Sequence, residues 1–201
     1  MTVAEITAAA VKELRELTGA GFMDCKRALE EARGDVQTAV ALLRERGLAA
    51  AAKKAGRDAR EGTVASYIHT GGRVGVLIEV NCETDFVART DEFQRLVKDL
   101  AIQVAGLSPV YVDEAHIPAE DLEAKKAELL RDETTLKKPE NIRAQIVEGQ
   151  LKKWFAQVCL YDQPFRDEER TVRELINDRI ATIGENIRVR RFTRYALAEE
   201  L

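Results

Sequence analysis

Histidine is scarce in this sequence: His69 and His116 are the two histidines among its 201 residues. Neither lies at metal-ligand spacing from the other or from a cysteine. No GxxxxGK[ST] segment occurs, and Gly19 and Gly21 fall between predicted helices rather than after a strand. This arrangement predicts neither a phosphate-binding loop nor a dinucleotide-binding turn. We therefore expect no metal and no cofactor.

Cysteines and long apolar runs are also few. Cys25, Cys82 and Cys159 are widely spaced, odd in number and never form a CxxC pair, which favours reduced thiols over a disulfide framework. No apolar run approaches the roughly 20 residues that a membrane-spanning helix needs. The first residues lack the basic start and apolar block of a signal peptide. We predict a cytoplasmic protein with no membrane contact.

An excess of positive charge is likewise missing. The formal net charge is −4, with both signs interspersed. This balance argues against direct nucleic-acid binding. A nucleic-acid-binding protein would show affinity that falls steeply with salt concentration. The arginines of residues 188–194 are more readily explained by a solvent-facing or protein-facing strand. At 45% hydrophobic and 33% charged residues, the composition is that of a globular protein with one or two cores.

Residues 1–47 predict a bundle of three short helices. Thr2 and Glu5 form a capping box for the first, which ends before Gly19. The second runs over about 23–33, and Asp35 caps a third that ends before Gly47. The apolar face predicted for the first helix is Val3, Ile6, Ala10, Leu14 and Leu17. Residues 48–61 are alanine-rich and basic without a wide apolar stripe, and we interpret them as a partly helical linker.

Residues 62–201 predict a second, α+β domain. Two β-rich runs flank the turn signal around Gly71 and Gly72. In the second run, alternate apolar residues share one face and Leu77 lies on the other. Thr90 caps a long amphipathic helix, and further helices follow. The chain closes with a β-like run in which the apolar parity changes between Val189 and Phe192, indicating a bulge or two-sided burial. The apolar residues of the long helix are Phe93, Leu96, Val97, Leu100, Ala101 and Val104.

The segment ETDFVA, residues 83–88, follows the second strand directly and leaves two interpretations open. Phe86 is either the first buried residue of the next helix or a side chain displayed to a partner. A third possibility, a Cys82 nucleophile with His69 as its base, is conceivable because hairpin strands bring residues together. A small apolar cysteine ending a strand explains the same pattern without chemistry.

Five segments occur in the order in which one protein family has them. They are LRELTGAGFMDCKRALEEARGD (14–35), GLAAAAKKAGRDAREG (47–62), VLIEVNCETDFVA (76–88), QPF (163–165) and IGENIRVRRFTRY (183–195). Together they resemble the elongation factor Ts family, whose members promote guanine-nucleotide exchange on elongation factor Tu. The resemblance implies a bundle like a ubiquitin-associated domain, then a dimerisation domain with a three-stranded antiparallel sheet packed by helices.

The resemblance also implies site residues. In the family, the Asp and Phe of TDF enter a crevice of the G domain of Tu beside switch II, which weakens support for the magnesium and the phosphate loop. Those residues are Asp85 and Phe86 here, and we expect Thr84 and Val87 to join the contact. The helix after TGAG docks on the same G domain, which places its first residues at a second contact: Phe22, where the family pattern predicts Met, with Met23 and Lys26.

The chain looks like the short form of the family, because nothing after Ala88 repeats the VLIEVNCETDF pattern. A factor with one core copy is expected to form a homodimer, with residues 120–160 and the last strand as candidate interfaces. One rival hypothesis is that the bundle binds ubiquitin-like partners without any effect on GDP release. The cysteine-dependent enzyme is another, and it requires Cys82 to be essential while Phe86 is dispensable.

Overall fold

The computed structural model describes residues 6–166 and 170–199. Its elements run α1 Ala8–Thr18, α2 Phe22–Glu31, α3 Val36–Lys54, β1 Glu61–Ile68, β2 Val74–Cys82, α4 Asp85–Ala88, α5 Asp91–Leu107, α6 Ala119–Arg131, α7 Glu133–Leu136, α8 Glu140–Val158, α9 Val172–Ile183 and β3 Arg188–Ala196. The three strands form one antiparallel sheet in the order β1-β2-β3. The predicted α+β class, with a helical bundle preceding a three-stranded sheet, is confirmed.

The first three helices pack around one small apolar core, as predicted. Gly19 ends α1 in the left-handed region, with φ of 69°, which glycine adopts without steric cost. Thr7 caps the start of α1, whereas the predicted capping box of Thr2 and Glu5 lies outside the described residues. The buried core of the bundle consists of Val11, Leu14, Cys25, Ala28, Leu29, Ala32 and Ala39.

Two details of the bundle differ from the prediction. Leu17 is not inside but 62% exposed, because α1 buries the face of Val11 and Leu14 and Leu17 lies at its last turn. The third helix does not end at Gly47; capped by Asp35, it continues to Lys54. The alanines after Gly47 are strong helix formers, and Gly47 itself is buried beside Asp178 and Ala181 of α9.

The hairpin and the following helix have the predicted faces. Val76, Ile78 and Val80 of β2 are buried, while Leu77 is 53% exposed. All six predicted apolar residues of α5 are buried. In β3 the burial changes parity after Val189, also as predicted, and the two guanidinium groups that follow, Arg190 and Arg191, both donate to the carboxylate of Glu79.

The described residues of the chain group into two compact units. The first comprises those of Met1–Thr63, Val80–Gln94 and Glu174–Arg188, and the second those of Val64–Glu79, Arg95–Arg173 and Val189–Leu201. The predicted division into a bundle at 1–47, a linker at 48–61 and an α+β domain at 62–201 stays a prediction.

Candidate functional site

The ETDFVA segment is a short helix that displays one aromatic side chain. Thr84 has extended backbone angles, and its hydroxyl accepts a hydrogen bond from the Val87 N–H at 3.3 Å. The four residues from Asp85 to Ala88 form α4. Ala88 is buried, whereas Phe86 is 79% exposed. The interpretation that places Phe86 in the core is therefore wrong. The side chain is displayed on the surface.

The exit of this segment is fixed by contacts with the next helix. The Thr90 hydroxyl donates to the Val87 carbonyl at 2.8 Å and accepts from the Phe93 N–H at 3.3 Å as the predicted cap of α5. The side-chain amide of Gln94 donates to the Ala88 carbonyl at 2.6 Å. These bonds add side-chain donors to the carbonyls at the end of a four-residue helix, where few intrahelical donors are available. The turn after Phe86 is thus held from its C-terminal side.

Asp85, the neighbour of Phe86, is only half-buried and carries one ion pair. Arg89 donates to its carboxylate at 2.7 Å, with side-chain exposures of 77% for Arg89 and 47% for Asp85. An ion pair this exposed contributes little stability. The Asp85 carboxylate is accordingly accessible to a partner that offers a better donor.

The entrance of the segment is fixed by a carboxylate from a distant part of the sequence. Glu185 follows α9 and accepts hydrogen bonds from the Glu83 N–H at 3.1 Å and the Thr84 N–H at 3.0 Å. The Thr84 hydroxyl donates to the other oxygen of the same carboxylate at 2.7 Å. Glu83 in turn accepts the Asn186 N–H at 2.6 Å. The Glu185 carboxylate thus binds the backbone at Glu83 and Thr84, and the Glu83 carboxylate binds the backbone at Asn186.

Neither Glu185 nor Asn186 was identified as a site residue from the sequence. The Glu83 and Glu185 groups are 102 residues apart in the chain, and no local period links them. The single signal available was their position in IGENIRVRRFTRY, one of the segments that carry the family resemblance.

The bundle presents a second group of exposed apolar side chains. Phe22 is 48% exposed and Met23 59% at the start of α2, where Gly21 caps the helix without a side-chain hydrogen bond. Lys26, one turn further, forms an ion pair with Glu30 at 3.8 Å. Leu17, at 62% exposure, precedes the same turn and adds to the apolar side chains there.

Cys82 lacks the environment of a nucleophile. Burial, and secondarily the charge of Glu185, raises the pKa of its thiol to about 11. The thiol donates to the Thr84 carbonyl at 3.1 Å, and His69 makes its hydrogen bond with the Tyr67 hydroxyl at 3.0 Å. Because the thiolate is the reactive species, this cysteine serves the packing of the strand end.

Two further features bear on the class of protein. In the described part of the chain, no group of three or more histidine, cysteine, aspartate or glutamate side chains is arranged to hold a metal ion. Among residues 6–166 and 170–199, no helix is both long and apolar enough to cross a membrane. Fold and site together define an α+β protein with a helical bundle, which presents an aromatic side chain on a short, firmly held helix.

Comparison with known proteins names the family. The sequence model described as "Elongation factor TS" matches residues 2–179. "Elongation factor Ts" of Geobacter sulfurreducens is 55% identical over 98% of this chain and 91% of that protein. That of Caldanaerobacter subterraneus subsp. tengcongensis is 54% identical over 96% and 98%, respectively, and that of Thermotoga petrophila 55% over 97% and 98%. The chain belongs to the elongation factor Ts family, and it is a translation elongation factor.

Proposed function

We propose that this chain binds elongation factor Tu and promotes release of its GDP, with Asp85 and Phe86 inserted into the G domain near switch II. The observation that carries the proposal is the 79% exposure of Phe86 on a helix tied at both ends. An aromatic held in one place loses little conformational entropy on binding, so its buried area is available for affinity. Thr84 and Val87 flank it in the same contact.

Linkage explains how such a contact releases a nucleotide. A factor that binds nucleotide-free Tu more tightly than Tu with GDP must lower the affinity for GDP by the same factor. Each 1.4 kcal/mol or so of this coupling changes the affinity tenfold. Insertion of Phe86 would displace side chains that support the magnesium and the phosphate loop. No side chain of the factor has to exchange a proton or form a covalent bond, so the chain acts without catalytic chemistry of its own.

The bundle supplies a second contact in this proposal. Phe22 and Met23 offer exposed apolar area, and Lys26 offers a cation whose ion pair with Glu30 is long and solvent-exposed. Contacts of this kind anchor a partner without acting on the nucleotide site. We therefore assign affinity mainly to the bundle and nucleotide release mainly to Asp85 and Phe86.

The test is the rate of release of a fluorescent GDP analogue from the cognate elongation factor Tu. Wild-type chain should accelerate release strongly, and Phe86→Ala should lower that stimulation by about tenfold or more, the range of an interface hot spot. Leu107→Ala is the matched control, because Leu107 is also exposed but lies at the end of α5 and outside the proposed contacts.

The outcomes separate the parts of the proposal. Full stimulation by a folded Phe86→Ala variant would leave exchange activity intact and remove Phe86 from the mechanism. No stimulation by the wild-type chain would overturn the exchange function itself. A Leu107→Ala variant as impaired as Phe86→Ala would show that loss of any exposed apolar side chain is enough.

We also infer that the chain acts as a homodimer and that the exposed face of the sheet in the second unit carries the interface. A groove of about 580 Å³ lies there. Four large apolar side chains along it are 53–70% exposed: Ile68, Leu77, Tyr195 and Leu197. Contiguous apolar surface of this kind marks an interaction site more often than isolated residues do. Residues 120–160, the other candidate, offer single exposed side chains such as Leu130 between charged ones.

A further inference from the structure

We propose that Glu185 is a positioning residue for exchange: its carboxylate holds the entrance of α4 so that Asp85 and Phe86 meet the partner in one orientation. The inference rests on the function proposed above and adds to it a residue that does not itself touch the partner. Three hydrogen bonds carry it, from two consecutive backbone N–H groups and one hydroxyl to the same side chain.

The short helix needs such an external support. An isolated helical turn is unstable in water because nucleation fixes several residues for one hydrogen bond. A helix of four residues forms few backbone hydrogen bonds of its own. The capping bond of α4, from the Val87 N–H to the Thr84 hydroxyl, is 3.3 Å long. Hydrogen bonds to an ionised carboxylate are about twice as strong as neutral ones. Glu185 therefore fixes Thr84, from which the direction of α4 and of the Phe86 ring follows.

The residue after Glu185 is also bonded to this part of the chain. The Asn186 N–H donates to the Glu83 carboxylate at 2.6 Å, and the Asn186 side-chain amide donates to the Arg57 carbonyl at 2.8 Å. Arg57 also pairs with Glu83 at 3.6 Å. The entrance of α4, the turn after α9 and the residues after α3 are thus joined by several bonds. A support of this kind sets a position rather than only adding stability.

The alternative is that Glu185 merely keeps the protein folded, and kinetics distinguish the two roles. A loss of folded protein lowers the active concentration, so the wild-type maximal rate of GDP release is still reached at a higher total concentration. A misplaced Phe86 lowers the maximal rate itself, while the bundle contact keeps the half-saturating concentration nearly unchanged. The experiment therefore measures both the maximal rate of GDP release and the half-saturating concentration of the factor.

The variants are Glu185→Ala and Glu185→Gln, each alone and combined with Phe86→Ala, assayed by stopped-flow release of the fluorescent GDP analogue over a range of factor concentrations. Glu185→Ala should lower the maximal rate by about tenfold, as expected when several hydrogen bonds to a charged group are lost. Glu185→Gln retains an oxygen that accepts both N–H groups, so it should recover to within about threefold of wild type.

The double variants give the decisive comparison. If Glu185 acts through Phe86, adding Glu185→Ala to Phe86→Ala costs little more, because residues that act as one unit are not additive. Additive losses, or a Glu185→Ala variant with the wild-type maximal rate, would overturn the positioning role. Failure of the proposed function is a different result, since the wild-type chain itself would then not accelerate GDP release.

Amide hydrogen exchange supplies a readout independent of the partner. In the free protein, Glu185→Ala should speed exchange at the Glu83 and Thr84 amides, with Glu185→Gln intermediate and the amides of α2 unchanged. Unchanged protection at Glu83 and Thr84 would show that the carboxylate does not hold this segment and would also overturn the inference.

Discussion

Phe86 is 79% exposed to solvent, and contacts of the neighbouring residues hold its backbone in place. The exposed ring of Phe86 contributes little hydrophobic stabilisation to the fold. The backbone on both sides of Phe86 is bonded to Glu185, Thr90 and Gln94. Single exposed apolar residues are common on protein surfaces. The fixed backbone, rather than the exposure alone, is why we propose that this residue acts on a partner.

At the same scale, the buried thiols predict a pH-dependent reactivity. Burial raises the pKa of Cys82 to about 11 and that of Cys159 to about 12, each from an ordinary 9.0. At pH 8 only about one thousandth of Cys82 is thiolate, the reactive form. We expect the native protein to resist iodoacetamide at pH 8 and to react faster as the pH rises toward 11.

The control for this prediction is the urea-unfolded chain, in which all three cysteines should be alkylated at pH 8 at the rate of a simple thiol. Mass spectrometry counts the modified cysteines in both states. Rapid labelling of Cys82 in the native protein would contradict its assignment as an inert strand-end residue.

At the scale of the element, the backbones of β1 and β2 approach each other closely at the start of β1. Gly62 has φ of 139°, and a Cβ built on it would lie 2.1 Å from the Val80 carbonyl oxygen. No side chain fits at that distance, so the approach of β1 to β2 at this end of the hairpin requires glycine. The second of these strands leads directly to Cys82 and α4, so a shift here would reach the site.

Gly62→Ala should therefore lower the free energy of unfolding by about 2–4 kcal/mol, through strain and displacement of the paired strand. Gly56→Ala is the matched control, because a Cβ at Gly56 meets nothing within 4 Å and should change stability by less than about 1 kcal/mol. Urea unfolding followed by circular dichroism measures both. Equal stability of the two variants would mean that the hairpin adapts at this end.

Element bounds followed from the sequence where local signals agreed. Two start signals, the caps at Asp35 and Thr90, are as predicted. So are two apolar periods, the buried face of β2 and the apolar stripe of α5. The end of α3 was wrong because one signal, Gly47, competed with helix-forming alanines and with packing beside α9. Glycine ends a helix only where nothing else holds the next turn.

At the scale of the whole molecule, self-association through the sheet face is the property to test. Leu77→Asp places a charge on the exposed side of β2, where Leu77 is 53% exposed. If this face forms the dimer, the dissociation constant should rise at least about tenfold, since a desolvated unpaired charge costs several kcal/mol. Sedimentation velocity at micromolar concentrations measures the change.

Val110→Asp is the control for the dimer, because Val110 is 62% exposed and does not line the groove. It should leave the dissociation constant unchanged. A monomeric wild-type chain, or equal effects of the two substitutions, would contradict an interface on this face.

From the sequence, the three strands and the longer helices were predicted in order, because caps, turns and apolar periods are encoded within a few residues of one another. The four-residue helices α4 and α7 were not predicted. The sequence also determined the family, through five segments in order. The exposure of Phe86 and of Leu17 depends on how the elements pack, since an apolar residue beside charged ones fits a core edge or a surface equally well. The bond between Glu185 and the entrance of α4 joins residues 102 apart, and such a pairing exists only once the elements between them have packed.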